Sequence, residues 1–125
     1  MKNLIIQGTY EKPTVKFFGD KGELLLEGSS LPENVIEVYD PIINWLRNYS
    51  ESPQKRTKIE FFFDYLNTSS SYMMTKIINM LNKITSCEEL IINWNYLSGD
   101  YDMRDFGLEI LGDTNLKYNL VERSC

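Results

Sequence analysis

Four small polar residues, Asn67-Thr68-Ser69-Ser70, follow directly on the run Ile59-Glu60-Phe61-Phe62-Phe63-Asp64-Tyr65-Leu66 and open a stretch with helical spacing. A hydroxyl or amide oxygen at such a place has two possible uses. It can cap the helix by accepting from the orphan amides of the first turn, worth about 1 kcal/mol. It can instead carry a phosphate, whose charge meets those amides and the positive end of the helix dipole. Such a modification adds roughly 1.5 to 2 negative charges and leaves the helix intact. Capping needs one residue, and four candidates stand in a row. Both readings stay open at this point.

Other reactive groupings are sparse. The chain has no histidine, which removes the usual general base, the commonest metal ligand and every Ser-His or Cys-His nucleophile. Glu60 and Asp64 could form a carboxylate pair, but no nucleophile, base or metal motif completes a site around them. The stretch Gly99-Asp100-Tyr101-Asp102-Met103-Arg104-Asp105 lacks the ligand count and glycine placement of a calcium loop; Asp100 or Asp102 reads better as a helix cap. Met73-Met74 and Met80 read as core filler, and Trp45 and Trp94 as core residues. The sequence thus gives no catalytic residues, metal or cofactor, and the expectation is a protein that is not an enzyme.

These residues need elements to position them. Leu4 to Gln7 reads as a short strand. Thr14–Phe18 and Glu23–Glu27 form a hairpin through Gly19-Asp20-Lys21-Gly22. Pro32-Glu33-Asn34 suits the first turn of a helix. Helical spacing then runs from Val35 to Tyr49, with Pro41 predicting a kink or two abutting helices, the second capped by Asp40. Lys55-Arg56-Thr57-Lys58 reads as a solvated loop. The aromatic run after it suits a strand covered on both faces. A helix to about Thr85 buries Met73, Ile77, Met80, Leu81 and Ile84. Leu90–Tyr96 is a strand, Asp100–Leu111 a helix and Leu116–Val121 a closing strand.

Strands alternating with helices call for an α/β fold, a mixed and mostly parallel sheet with an N-terminal hairpin and helices packed on it. At 125 residues and 42% hydrophobic content, residues 1–125 are expected to form one domain. Junctions after Leu26, Leu66 and Leu97 would share the carboxyl edge of the sheet, where ligands and partners of such folds gather. That edge collects Ser29, Ser30, Glu33, Asn34, Asn67, Thr68, Ser69, Ser70, Asp100 and Asp102.

The net charge of −5 and scattered basic residues argue against nucleic-acid binding. No run approaches the ~20 apolar residues of a membrane span, and no signal-peptide pattern opens the chain. Cys87 and Cys125 cannot make a secreted disulfide framework, so reduced thiols and a cytoplasmic location are expected.

Taken in order, Gly28-Ser29-Ser30-Leu31-Pro32-Glu33-Asn34, Tyr39-Asp40-Pro41-Ile42-Ile43-Asn44-Trp45-Leu46 and Asp64-Tyr65-Leu66-Asn67-Thr68-Ser69-Ser70 resemble the SiaC family of bacterial regulatory phosphoproteins. Trp94-Asn95-Tyr96, Asp100-Tyr101-Asp102-Met103 and Phe106-Gly107 are similar as well. The resemblance implies a fold like that of anti-sigma-factor antagonists (STAS-like) and a partner-switching module with a serine/threonine kinase and a PP2C-type phosphatase. It implies that Thr68 is the phosphoacceptor, with Ser69 and Ser70 as possible secondary acceptors. With the carboxyl edge as docking surface, the expected partner-binding residues are Pro32, Glu33, Asn34, Asn67, Ser69, Ser70, Asp100 and Asp102. In the best-known branch the unphosphorylated form activates a diguanylate cyclase that controls cyclic-di-GMP and biofilm formation. Two positions depart from the family pattern. Lys12-Pro13 stands for a Thr-Pro pair, and Ser71-Tyr72 stands where a basic residue commonly follows the acceptor run. The competing reading is a binding module or anti-sigma-factor antagonist of the same fold with no covalent switch, in which Thr68 only caps its helix.

Overall fold

The computed structural model describes residues 2–84 and 87–124. In chain order the elements are β1 (Leu4–Ile6), β2 (Thr14–Phe18), β3 (Glu23–Ser30), α1 (Val35–Glu51), β4 (Arg56–Leu66), α2 (Thr68–Leu81), β5 (Glu89–Leu97), α3 (Tyr101–Gly112) and β6 (Lys117–Arg123). The six strands form one sheet in sequence order. β1, β2 and β3 pair antiparallel, and β3 through β6 pair parallel. The mixed α/β sheet with its N-terminal hairpin is therefore as the sequence predicts.

Each parallel step moves one strand outward through a helix. Right-handed crossovers made always in the same direction put every helix on the same face. Burial follows that geometry. Ile59, Phe61 and Phe63 of β4 are buried beside Ile92 and Trp94 of β5 and Leu24 and Leu26 of β3. They pack on Tyr39, Ile42, Ile43 and Leu46 of α1 and on Met74, Ile77, Ile78 and Leu81 of α2. The alternate residues Lys58, Glu60, Phe62 and Asp64 face away from the helices and are exposed or half-buried. The expectation of a β4 covered on both faces is corrected here. Its alternation is masked because Phe62 stands on the open face, with the Arg123 guanidinium 5.5 Å from its ring centre.

Other expectations shift at the boundaries. α1 runs unbroken through Pro41, so neither two helices nor an Asp40 cap is present. Pro41 is exposed, so water can serve the carbonyl left without its amide. The cap is Asn34, whose Oδ1 accepts from the Glu37 amide at 3.2 Å, which places Pro32 and Glu33 before the helix. Arg56, Thr57 and Lys58 belong to β4, with Thr57 buried against the Tyr49 hydroxyl at 2.7 Å, so they are not a solvated loop. The buried stripe of α2 is Ser70, Met74, Ile77, Ile78 and Leu81. Met73, Met80 and Ile84 pack at its border. α2 ends at Leu81 with Asn82 as its C-cap, so the expected continuation toward Thr85 is corrected; Thr85 itself and Cys125 lie outside the described residues. Trp45 and Trp94 are core residues as predicted.

Candidate functional site at the carboxyl edge

β3, β4 and β5 all end at one edge, each handing over to a helix. Side-chain oxygens cap all three helices. Asn34 caps α1, Asp100 Oδ1 accepts from the Met103 amide at 3.2 Å in α3, and Asn67 Oδ1 accepts from the Ser70 amide at 2.9 Å in α2. Because Asn67 is the cap of α2, Thr68 is its first helical residue and is relieved of that duty. Thr68 is exposed, and no hydrogen bond among the described residues engages its hydroxyl.

The neighbouring hydroxyls differ. Ser69 is half-buried and donates to Asn67 Oδ1 at 3.2 Å. Ser70 is fully buried, 2.7 Å from Ser30 Oγ, which lies 2.8 Å from the Tyr39 hydroxyl. This corrects the expectation that Ser70 serves as a secondary acceptor or contact surface: its side chain belongs to the inward stripe of α2. Burial pushes the Tyr39 phenol above its ordinary pKa, with smaller opposing effects from the Ser30 and Ser70 hydroxyls, so the three-hydroxyl chain is neutral around pH 7.

How Ser30 reaches this position depends on the β3–β4 ladder. The register is regular as far as Gly28 opposite Phe63, then skips Asp64, so that Ser29 pairs with Tyr65 and Ser30 with Leu66. Gly28 takes φ 108° at this bulge, a left-handed value open to glycine. The skipped Asp64 accepts from Ser29 Oγ at 2.7 Å, and Ser30 C=O accepts from the Asn67 amide at 2.9 Å. Ser29 and Ser30 thus belong to β3, which extends beyond the Glu27 end that the sequence suggests.

The carboxyl edge that carries Thr68 also exposes aromatic and acidic side chains. Tyr65, Tyr72 and Tyr101 are 52%, 75% and 53% exposed, and Leu31 and Ile36 are exposed beside the α1 junction. A depression of about 370 Å³ is bordered by Asp64, Tyr65, Asp100, Asp102 and Phe106. A smaller one of about 170 Å³ lies by Pro32, Glu33 and Asn34. Pro32 itself is buried, which corrects its assignment to the contact surface; Glu33 and Asn34 are exposed. The five exposed apolar residues are the part of the edge that sequence reading missed. Their signal was an apolar residue off the buried stripe, as Tyr72 is at four positions beyond Thr68.

Glu60 and Asp64 make no acid/base pair. Glu60 accepts from Asn93 Nδ2 at 2.7 Å and Asp64 from Ser29, and four residues of strand set them about 13 Å apart. Among the described residues no three His, Cys, Asp or Glu side chains converge as metal ligands.

Residues 6–123 match the model of the SiaC family regulatory phosphoproteins. An uncharacterized protein of Pseudomonas aeruginosa (strain UCBPP-PA14) is 29% identical over 97 residues, 77% of each chain. In solved structures, SiaC of Pseudomonas aeruginosa superposes with a TM-score of 0.87 at 24% identity, covering 98% of this chain and 100% of that one. A chain of the crystal structure of diguanylate cyclase SiaD in complex with its activator SiaC, from the same organism, gives 0.85 at 24% identity, covering 98% and 99%. At these identities the structural likeness establishes the fold.

Proposed function

Because this chain belongs to the SiaC family of regulatory phosphoproteins, we propose that it is a non-enzymatic cytoplasmic partner switch whose mark is a phosphate on Thr68. The observation that carries the reading is the division of labour in the first turn of α2. Asn67 caps, Ser69 bonds the cap, Ser70 anchors inward, and Thr68 alone combines exposure with an unengaged hydroxyl. A serine/threonine kinase would have the Thr68 oxygen attack the γ-phosphorus of ATP. The bond to the bridging oxygen breaks, ADP leaves, and the hydroxyl proton passes to a base on the kinase. A PP2C-type phosphatase would reverse the mark by hydrolysis to inorganic phosphate.

The unphosphorylated edge then presents a neutral hydroxyl among Tyr65, Tyr72 and Tyr101, a surface a partner can bury cheaply. A phosphate there must be desolvated, at several kcal/mol unless a cation meets it. Asp64, Asp100 and Asp102 border the same edge and oppose it further. Each 1.4 kcal/mol is tenfold in affinity, so the mark suffices to release a partner. The partner we infer is a diguanylate cyclase, since SiaC is the activator of diguanylate cyclase SiaD in the complex of those two proteins; we infer further that the unphosphorylated form is the one that activates it. Output through cyclic-di-GMP and biofilm formation follows from that inference. The docking surface comprises Glu33, Asn34, Asn67, Ser69, Asp100 and Asp102 with the exposed aromatics. Incubation with a candidate kinase and ATP, followed by intact-mass and peptide mapping, tests the reading. One phosphate on Thr68, absent from Thr68→Ala, is expected; an unmodified wild-type chain would leave the switchless binding module as the better account.

A further inference from the structure

We propose that Ser30 and Ser70 are positioning residues for Thr68, a buried hydroxyl anchor that fixes the first turn of α2 so that one hydroxyl stands ready for phosphate transfer. This rests on the reading of Thr68 as acceptor and adds the device that presents it. Ser30, Tyr39 and Ser70 are each 0% exposed and come from three elements, β3, α1 and α2. Ser30 Oγ lies 2.8 Å from the Tyr39 hydroxyl and 2.7 Å from Ser70 Oγ. Its carbonyl also accepts from the Asn67 amide at 2.9 Å. One serine therefore grips the α2 cap through its backbone and the first turn through its side chain, on either side of Thr68.

That double grip exists because of the bulge. In the unshifted register Ser30 would oppose Tyr65. The skip at Gly28/Ser29 sets it opposite Leu66, one residue before the cap, and Ser29 occupies the bypassed Asp64. A plain parallel ladder followed by an Asn cap would suffice to start a helix. The extra residue, the glycine in a left-handed conformation and three buried hydroxyls exceed what helix initiation needs. Buried polar chains of this kind favour one arrangement over near alternatives, because any slip leaves a hydroxyl unpaired. Here the slip they oppose is rotation of α2 about its axis. Such a rotation would carry Thr68 inward or bring Ser69 out.

In the transfer step the Thr68 oxygen forms its bond to the γ-phosphorus of ATP as ADP departs, so misplacement of the oxygen by about 1 Å can cost ~100-fold in rate. The expected signature of a lost anchor is a fall in kcat with KM retained, since the docking surface survives. The experiment compares Ser30→Ala, Ser70→Ala and, as a control of equal chemistry, Tyr49→Phe. That control deletes the buried hydroxyl bonded to Thr57 at 2.7 Å, away from α2. Steady-state labelling by a serine/threonine kinase that modifies the wild-type chain is measured alongside amide hydrogen exchange of residues 69–72. Both alanine variants are expected to lose at least tenfold in kcat with KM within twofold of wild type. They are also expected to exchange those amides at least tenfold faster, with Tyr49→Phe within twofold on both measures. A smaller loss in kcat, or an equal loss in Tyr49→Phe, overturns the proposal. Ser30→Ala retains the backbone bond to Asn67 and decides the matter should Ser70→Ala not fold. A wild-type chain that no kinase labels would sink the function proposed above, and the exchange rates then decide the anchor by themselves.

Discussion

Thr68, Ser69 and Ser70 are chemically alike and adjacent, yet a helix turns by about 100° per residue, so three consecutive side chains face three directions. Ser70 points to the core, Ser69 back to the cap and Thr68 to water. Thr68→Ala should therefore leave folding stability within about 0.5 kcal/mol of wild type while abolishing the phosphate mark. Asn67→Ala should cost about 1 kcal/mol through the lost cap. Urea denaturation of both checks the contrast, and a larger loss in Thr68→Ala would make Thr68 a structural residue. Tyr39 offers a second test. Burial raises its pKa above the ~10 of an exposed phenol, so the folded state holds the proton more tightly than the unfolded chain. That contribution is complete below pH ~10 and is lost as pH rises through the folded value. Tyr39→Phe should lose about 1 kcal/mol at pH 7 with its hydrogen bond to Ser30 and then decline less steeply than wild type above pH 10. Parallel alkaline curves would contradict this account.

At the scale of elements, α3 sits where a small residue lets it approach the sheet. A Cβ on Gly107 of α3 would run into the Trp94 indole of β5, and Trp94 Nε1 donates to Met103 C=O at 3.0 Å on the same helix. Gly107→Ala should cost about 1–3 kcal/mol by overpacking, read as a lowered urea midpoint with unchanged slope. An unaffected midpoint would mean that α3 can shift freely, and with it the Asp100 cap and the Asp102 rim. Most elements were legible because their signals are local. The Gly-bounded hairpin, the helical stripe of α1 and the Asp100 cap each depend on residues within a few positions of one another. The covering of β4 was not, because three consecutive phenylalanines conceal a period of two. The unbroken α1 was not, because Pro41 lies on its solvent side. The frame of α2 was offset because Met73 and Met80 suit a border as well as a core.

For the whole molecule the prediction concerns what the phosphate changes. Thr68 is exposed and lies at the positive end of α2, so phosphorylated and unphosphorylated protein should melt within a degree or two of each other. Their affinities for a diguanylate cyclase effector should nonetheless differ by at least 100-fold in calorimetry. Equal affinities would dismiss phosphate as the switch; a large drop in melting temperature would mean that it acts by unfolding.

The sequence by itself determined the kinds and order of the elements, the edge at which the polar junctions gather, the family resemblance and the run of hydroxyl residues in which the acceptor is proposed. Only the tertiary structure decided which hydroxyl of that run faces water, which residue caps, and how the β3 register brings Ser30 beneath α2. The physical reason is range. Capping and periodicity are settled between near neighbours, whereas the rotation of α2 is set by contacts such as Ser30 with Ser70, 40 residues apart in the chain, which no local pattern records.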